Sequence, residues 1–162
     1  MLLLKRTEHP NDPWSGHLSF PGGRVEAEEH PLDAARRETE EEVGLDLHDA
    51  QLLGRLDDLA AVGGRPGMVI RPYVFLLPGG LPPLRPNPTE VAGTHTVPLE
   101  ALLSGVGRTT MTWERGEHRL TLPAVELQGL AHPRLWGLTL RMVDDLLHRI
   151  DGRGVGLARG AA

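Results

Sequence analysis

The spacing of apolar residues along this chain changes period several times, and each change marks an element. Leu2 to Arg6 opens as a short apolar run of strand length. Glu8 to Ser15 follows, broken by Pro10 and Pro13, and reads as a loop. From Gly16 to Phe20 the period is two, with Leu18 and Phe20 on one face and His17 and Ser19 on the other. Pro21-Gly22-Gly23 then forces a sharp turn, where glycine permits positive φ and close approach of a ligand to the backbone. The period next lengthens to that of a helix. Leu32, Ala35, Thr39 and Val43 make a narrow apolar stripe, predicting a helix from Pro31 or Leu32 to Val43. Pro31 suits a first helical turn and Gly44 suits the position just past the last.

Gln51 to Val62 and Met68 to Leu77 read as two strands of a hairpin joined through Gly63 to Gly67. Pro78 to Pro88 is a long Pro/Gly loop of the kind that often carries function. Glu90 to Pro98 reads as a strand and Leu99 to Leu103 as a short helix. Met111 to Glu114 and His118 to Leu122 form a second hairpin around Gly116. Trp136, Leu140, Val143, Leu147 and Ile150 recur at helical spacing, predicting a last helix from about Pro133 to Ile150 that packs on the sheet. Strands flanked by helices argue for an α/β protein layered α/β/α. One domain is expected over residues 1–150, with 151–162 as a flexible Gly-rich C-terminal tail.

Composition narrows the function classes. A formal charge of −5 predicts no bulk attraction to nucleic acid or to an anionic membrane. Cysteine is absent, so disulfides and thiolate metal sites are excluded. No run approaches the roughly 18 apolar residues that span a bilayer. The opening Met-Leu-Leu-Leu is too short for a signal-peptide core and runs at once into Lys5-Arg6. A cytoplasmic location is the default expectation.

The chemistry concentrates near the end of the 31–43 helix. Glu38, Glu41 and Glu42 fall at i, i+3 and i+4 and share one face, beside the apolar stripe. Acids are disfavoured near a helix C-terminus. Glu38 and Glu42 are moreover a like-charge i, i+4 pair costing roughly 0.2–0.5 kcal/mol. A bound divalent cation is the simplest compensation, so the cluster reads as a hard-metal site; a solvated acidic face is the plainer alternative.

The stretch from Gly23 to Leu45 resembles the Nudix box, Gly-x5-Glu-x7-Arg-Glu-U-x-Glu-Glu-x-Gly-U with U a bulky aliphatic. Gly23, Glu29, Arg37, Glu38, Glu41, Glu42 and Gly44 stand at its fixed positions. Thr39 at a U position is the one departure, and it is close to valine in size. The resemblance implies a Nudix-type α/β/α sandwich with a mixed central sheet, and a metal-dependent pyrophosphohydrolase. Mg²⁺, with Mn²⁺ as a substitute, would be held by Glu38, Glu41 and Glu42. Arg37 belongs to the catalytic set and, with Glu29, braces the carboxylates from behind. Gly22 and Gly23 would line the metal–phosphate site, and a glutamate of the helix or of a later loop would act as base.

Leu3 to Thr7, then Gly16 to Gly23, is similar to the leader of the coenzyme A pyrophosphatase subgroup, and Trp136-Gly137-Leu138-Thr139 to a downstream segment of it. That resemblance implies cleavage of coenzyme A or an acyl derivative to 3′,5′-ADP and a 4′-phosphopantetheine. The rival substrates are ADP-ribose, NADH, a dinucleoside polyphosphate or a dNTP; the rival class is a nucleotide-sensing Nudix module without catalysis. A nucleotide-type small molecule is the expected partner, and a homodimer is a further expectation. Several residues keep two readings. Arg24 and Arg6 could meet a phosphate or be ordinary surface or paired arginines. Glu90 could be an extra ligand or the base, with a surface acid the simpler reading. His17 could line the pocket or be structural, and Trp136 is core or a ring-stacking platform. Tyr73 and Phe75 are most simply core.

Overall fold

In the computed structural model, residues 1–10, 14–61, 67–115, 118–130 and 134–151 are described. Strand β1 (Leu2–Arg6) lies between β2 (Leu18–Ser19) and a later strand, Val91–Thr96, and pairs antiparallel with both. Consecutive strand residues point to opposite faces, so the fully buried neighbours Leu3 and Leu4 enter different cores. Leu3 packs with Leu18, Val97, Leu102, Leu135, Leu140, Val143 and Leu147. Leu4 packs with Val43, Leu45, Leu47 and Val91. An apolar cluster therefore covers each side of β1.

Helix α1 (Pro31–Val43) begins where the sequence places it. His30 caps it, its Nδ1 accepting from the Leu32 amide at 3.2 Å. Gly44 ends it with φ +65, its amide donating to the Glu40 carbonyl at 2.9 Å. The buried face differs from the expected stripe: it is Ala34, Thr39, Glu42 and Val43, so it includes an acid. Thr39 is accommodated there because its hydroxyl donates to the Ala35 carbonyl at 2.7 Å.

The first predicted hairpin exists as two short ladders. β3 (Gln51–Arg55) pairs with β6 (Tyr73–Leu76), and β4 (Leu59–Ala60) with β5 (Val69–Ile70). Pro72 lies at the break; it lacks an amide proton and only accepts, from Leu56 at 3.0 Å. The connecting loop predicted at Gly63 to Gly67 lies largely outside the described residues. β7 (Val91–Thr96) and α2 (Leu99–Leu103) follow as expected.

The second hairpin, β8 (Arg108–Arg115) with β9 (His118–Val125), is longer than the alternation suggests. The last helix is a correction. Leu135–Trp136 forms β10, paired with Val125 and Ala124, and α3 starts only at Gly137 and runs to Asp151. Gly137, at φ +63, makes the turn from strand to helix. Trp136 is thus not on the helical stripe, and Ile150 at its end is exposed, whereas Leu140, Val143 and Leu147 are buried. The tail predicted beyond Asp151 lies outside the described residues.

The described residues have mixed α/β content, with several sheets and three helices. Every strand pairing among the described residues is antiparallel, in two three-stranded and two two-stranded sheets. A mixed central sheet, as expected from the resemblance, also needs a parallel pairing, and none is among these; strands joined by hairpins return antiparallel. Among the described residues no helix is long and apolar enough to cross a membrane.

The long loop from Pro78 to Pro88 is pinned to the end of α1. The Arg85 amide donates to the Val43 carbonyl at 2.8 Å and the Asn87 amide to that of Glu42 at 2.9 Å. These carbonyls would otherwise lack partners at the helix end. A Cβ on Gly44 would come within 2.8 Å of the Arg85 Cβ.

Candidate functional site

Arg37, midway along α1, organises the loop that precedes the helix. Its Nε and Nη2 donate to the two Glu29 carboxylate oxygens at 2.9 and 3.1 Å, a bidentate pair. Nη2 also donates to the Arg24 carbonyl at 3.0 Å. Nη1 donates to Glu38 Oε1 at 3.0 Å and to Glu41 Oε2 at 3.1 Å. The Arg37 hydrogen bonds are the first cause holding the Glu29 carboxyl below its usual range; the same bonds, accepted by Glu29, bind the Arg37 proton more tightly. Glu29 is further fixed by the Glu26 amide at 3.0 Å, across a turn closed from the Glu29 amide to the Glu26 carbonyl at 3.2 Å. Glu28 occupies that turn at φ +66, a left-handed conformation that side chains rarely adopt.

The two glycines before this loop are needed for different reasons. Gly22 sits at φ +150, open only to glycine, with nothing near the place of a Cβ. At Gly23 the constraint is space: a Cβ there would fall 2.2 Å from the Glu38 carboxylate. The turn and the helix therefore meet at Glu38.

Glu42 is the unusual group. It is 4% exposed, yet carries a carboxylate. Its Oε2 accepts from the Gly22 amide at 2.8 Å. Burial pushes its carboxyl up to about 7; the like charges of Glu38 and Glu90 push the same way, while the Gly22 amide and the Arg6 guanidinium oppose them. Those influences bring in two residues singled out in the sequence from outside the helix. Arg6 ends β1, its amide donating to the His17 carbonyl at 3.0 Å. Glu90 immediately precedes β7, its carbonyl accepting from the Thr7 amide at 2.9 Å. Arg24 contributes its carbonyl, and its side chain is exposed.

The three helix glutamates are not gathered as one ligand set. Glu38 and Glu41 turn to Arg37, whereas Glu42 turns to Gly22. Among the described residues no group of three His, Cys, Asp or Glu side chains converges to hold a metal. The donor chemistry nevertheless suits a hard divalent cation: carboxylate oxygens only, with one acid buried among like charges. Glu38 and Glu41 would leave Arg37 to reach it, while Glu29 keeps the guanidinium in place.

A second cluster joins segments far apart in the chain. The His17 ring lies edge-on to Trp136 at 5.0 Å and to Trp14 at 6.2 Å. The buried Thr139 hydroxyl donates to the Leu18 carbonyl at 3.1 Å. His17 and Trp136 are thus packing partners. Phe75 packs against the α1-side core, with the Arg36 guanidinium 5.9 Å above its ring.

Sequence reasoning did not single out Asn87, whose amide meets the last turn of α1 and whose side chain reaches Glu90 at 3.4 Å. The Asn-Pro-Thr turn signal was its only trace. Another charged group, Arg55, Asp57, Asp58 and Arg149, lines an open groove of about 440 Å³ with Leu56. Its arginines are paired with aspartates, Arg149 to Asp57 at 2.7 Å and Arg55 to Asp58 at 3.3 Å, so it ties α3 to the end of β3.

Comparison with known proteins gives concordant matches. A model of the NUDIX domain matches residues 1–118. A protein of Schizosaccharomyces pombe described as uncharacterized is 38% identical over 109 residues, covering 64% of this chain and 33% of its own length. The chain thus spans about a third of that relative. A Photorhabdus laumondii protein called "Uncharacterized Nudix hydrolase NudL" is 35% identical over 152 residues, 92% of this chain and 76% of that protein. Its Yersinia pestis namesake is 33% identical over 153 residues, 93% and 72% respectively.

Proposed function

Since this chain belongs to the Nudix family and is a Nudix-type pyrophosphohydrolase, we propose that it hydrolyses a nucleoside diphosphate linked to another moiety, with coenzyme A or an acyl-coenzyme A as the first substrate to test. The observation that carries this reading is the buried Glu42 carboxylate, held by the Gly22 amide and faced by Glu38, Glu90 and Arg6. A divalent cation, Mg²⁺ or Mn²⁺, supplies charge neutralisation at the diphosphate and an activated water when bound.

The chain's own residues do the rest. Glu38, Glu41 and Glu42 supply the oxygen donors. Arg37, anchored on Glu29, pairs with Glu38 and Glu41 and holds the two carboxylates together ahead of cation binding. That turn offers backbone without side chains, so a diphosphate can approach closely. Arg6 places positive charge beside Glu42, where a phosphate oxygen would gain from it. Glu90 or a helix glutamate takes the proton from the attacking water, and water forms the new P–O bond as the anhydride P–O bond breaks.

Support for coenzyme A comes from the two segments similar to that subgroup. His17 and Leu18 from one touch Trp136 and Thr139 from the other. The layered α/β/α sandwich, the single domain, a homodimer and a cytoplasmic location belong to the same reading.

A hydrolysis panel with Mg²⁺ tests it: coenzyme A, ADP-ribose, NADH, diadenosine polyphosphates and dNTPs, with products identified by mass. Release of 3′,5′-ADP and 4′-phosphopantetheine from coenzyme A, faster than cleavage of the others, is the expected result. Preferential cleavage of another member would replace the substrate, and no cleavage of any would overturn the hydrolytic reading.

A further inference from the structure

Asn87 ties together three parts of the site. Its backbone amide donates to the Glu42 carbonyl at 2.9 Å, and its carbonyl accepts from the Glu90 and Val91 amides at 3.1 and 2.8 Å. The side chain is divided between two tasks. Oδ1 accepts from the Thr89 amide at 3.2 Å and the Thr89 hydroxyl at 2.8 Å, which shapes the turn. Nδ2 is left over from that turn, and it donates to Glu90 Oε1 at 3.4 Å. The last turn of α1, the entry to β7 and the Glu90 carboxylate are thereby joined through one residue.

Glu90 is exposed, and a free glutamate side chain has several rotamers open to it. Its like charge is felt at Glu42, so repulsion favours rotamers that carry it away. A donor restricts those rotamers. Thr7 fixes the Glu90 backbone through its carbonyl at 2.9 Å, but this leaves the carboxylate unaddressed. The Asn87 amide is a donor to that carboxylate, and its bond opposes the repulsion.

We propose that Asn87 is a positioning residue for the hydrolytic centre, its side-chain amide holding the Glu90 carboxylate opposite Glu42 so that a divalent cation at Glu42 gains Glu90 as a further oxygen donor, directly or through water. The inference rests on the glutamate-helix reading above. It gives the loop before β7 a role in metal affinity that its exposed sequence does not advertise. Outer partners of this kind are typically worth about 10–100-fold in metal affinity or activity.

The test is a cycle of Asn87→Ser, Glu90→Gln and the double variant in the full chain, read by Mn²⁺ titration with electron paramagnetic resonance and by steady-state kinetics. Serine keeps a hydroxyl to shape the turn but is too short to reach Glu90. Asn87→Ser is expected to weaken Mn²⁺ binding about tenfold or more. It should also lower kcat with little change in KM, and leave the melting temperature of the chelated protein close to that of the parent. The double variant should bind Mn²⁺ no more weakly than Glu90→Gln alone, because the amide acts only through that carboxylate. Parent-like Mn²⁺ affinity in Asn87→Ser, or additive losses in the double variant, overturns the proposal. If Asn87→Ser lowers the melting temperature, the comparison of the double variant with Glu90→Gln still decides. Glu41→Gln separates the levels: if it abolishes Mn²⁺ binding while Asn87→Ser does nothing, only the positioning role fails. If neither matters, the glutamate-helix reading fails too.

Discussion

The amide of Gly22 donates to Glu42 Oε2 at 2.8 Å, joining the glycine turn to a carboxylate that α1 buries. Glu42 is the point where fold stability and chemistry pull in opposite directions. A neutral side chain would suit the buried face better, and burial with two like charges shows the cost in its raised pKa. A cation bound beside Glu42 would relieve that cost.

Glu42→Gln keeps an acceptor for the Gly22 amide and removes the charge. Turnover should fall by orders of magnitude while the protein stays folded, and Glu41→Gln should do the same. Near-parent kcat in both variants, measured on purified folded protein, would remove these residues from the site.

The same group predicts a pH dependence for the chelated protein. Its folded pKa of about 7 lies above the roughly 4.3 of an unfolded glutamate. The proton-linked contribution is therefore fully present below the unfolded value and lost as pH rises through about 7. In excess chelator the melting temperature should fall between about pH 5 and pH 8, and Glu42→Gln should flatten that fall. Parallel profiles for the two proteins would contradict the assignment.

Gly23→Ala tests the contact between turn and helix. A Cβ 2.2 Å from the Glu38 carboxylate must displace it. Metal affinity and kcat should drop about tenfold or more, as for lost ligand positioning, with a small change in melting temperature because the turn is exposed. Unchanged Mn²⁺ titration would show that Glu38 can move freely.

Glu28→Gly should stabilise the protein. Left-handed geometry costs a side-chain-bearing residue roughly 1–2 kcal/mol. Glycine avoids that but brings about 0.5–1 kcal/mol of extra chain entropy. The difference leaves a gain of up to about 1.5 kcal/mol, readable in urea denaturation, with kcat/KM unchanged. A loss of stability would mean that the Glu28 side chain contributes more than its backbone strain.

Chelation by EDTA should abolish hydrolysis and Mg²⁺ restore it. Millimolar Mg²⁺ or Mn²⁺ should also raise the melting temperature by mass action. Turnover that persists in chelator would contradict a metal-dependent mechanism.

The helix from Pro31 to Val43 was legible because a proline start, a glycine stop and a helical period agree. The grouping of Glu29, Arg37, Glu38 and Gly23 was legible through the likeness of their offsets to the Nudix box. Burial of Glu42 was not. Periodicity assigns an acid to the edge of an apolar stripe, and only packing from β1 and β7 decides that it lies inside. The last helix starts later than its apolar rhythm predicts because Leu135-Trp136 continues that rhythm, and the reversal at Gly137 depends on a φ that sequence does not specify. The broken first hairpin turns on Pro72, whose effect on a ladder depends on whether its missing amide faces a partner. Asn87 escaped because its bonds run to residues that only the fold brings near.

The amides of Arg85 and Asn87 clamp the loop to α1 only at its downstream end. Upstream, residues 79–83 are exposed. Substitutions and length changes there leave both amide bonds to the helix end in place, so the upstream half of the loop can be varied without loosening the terminus of α1.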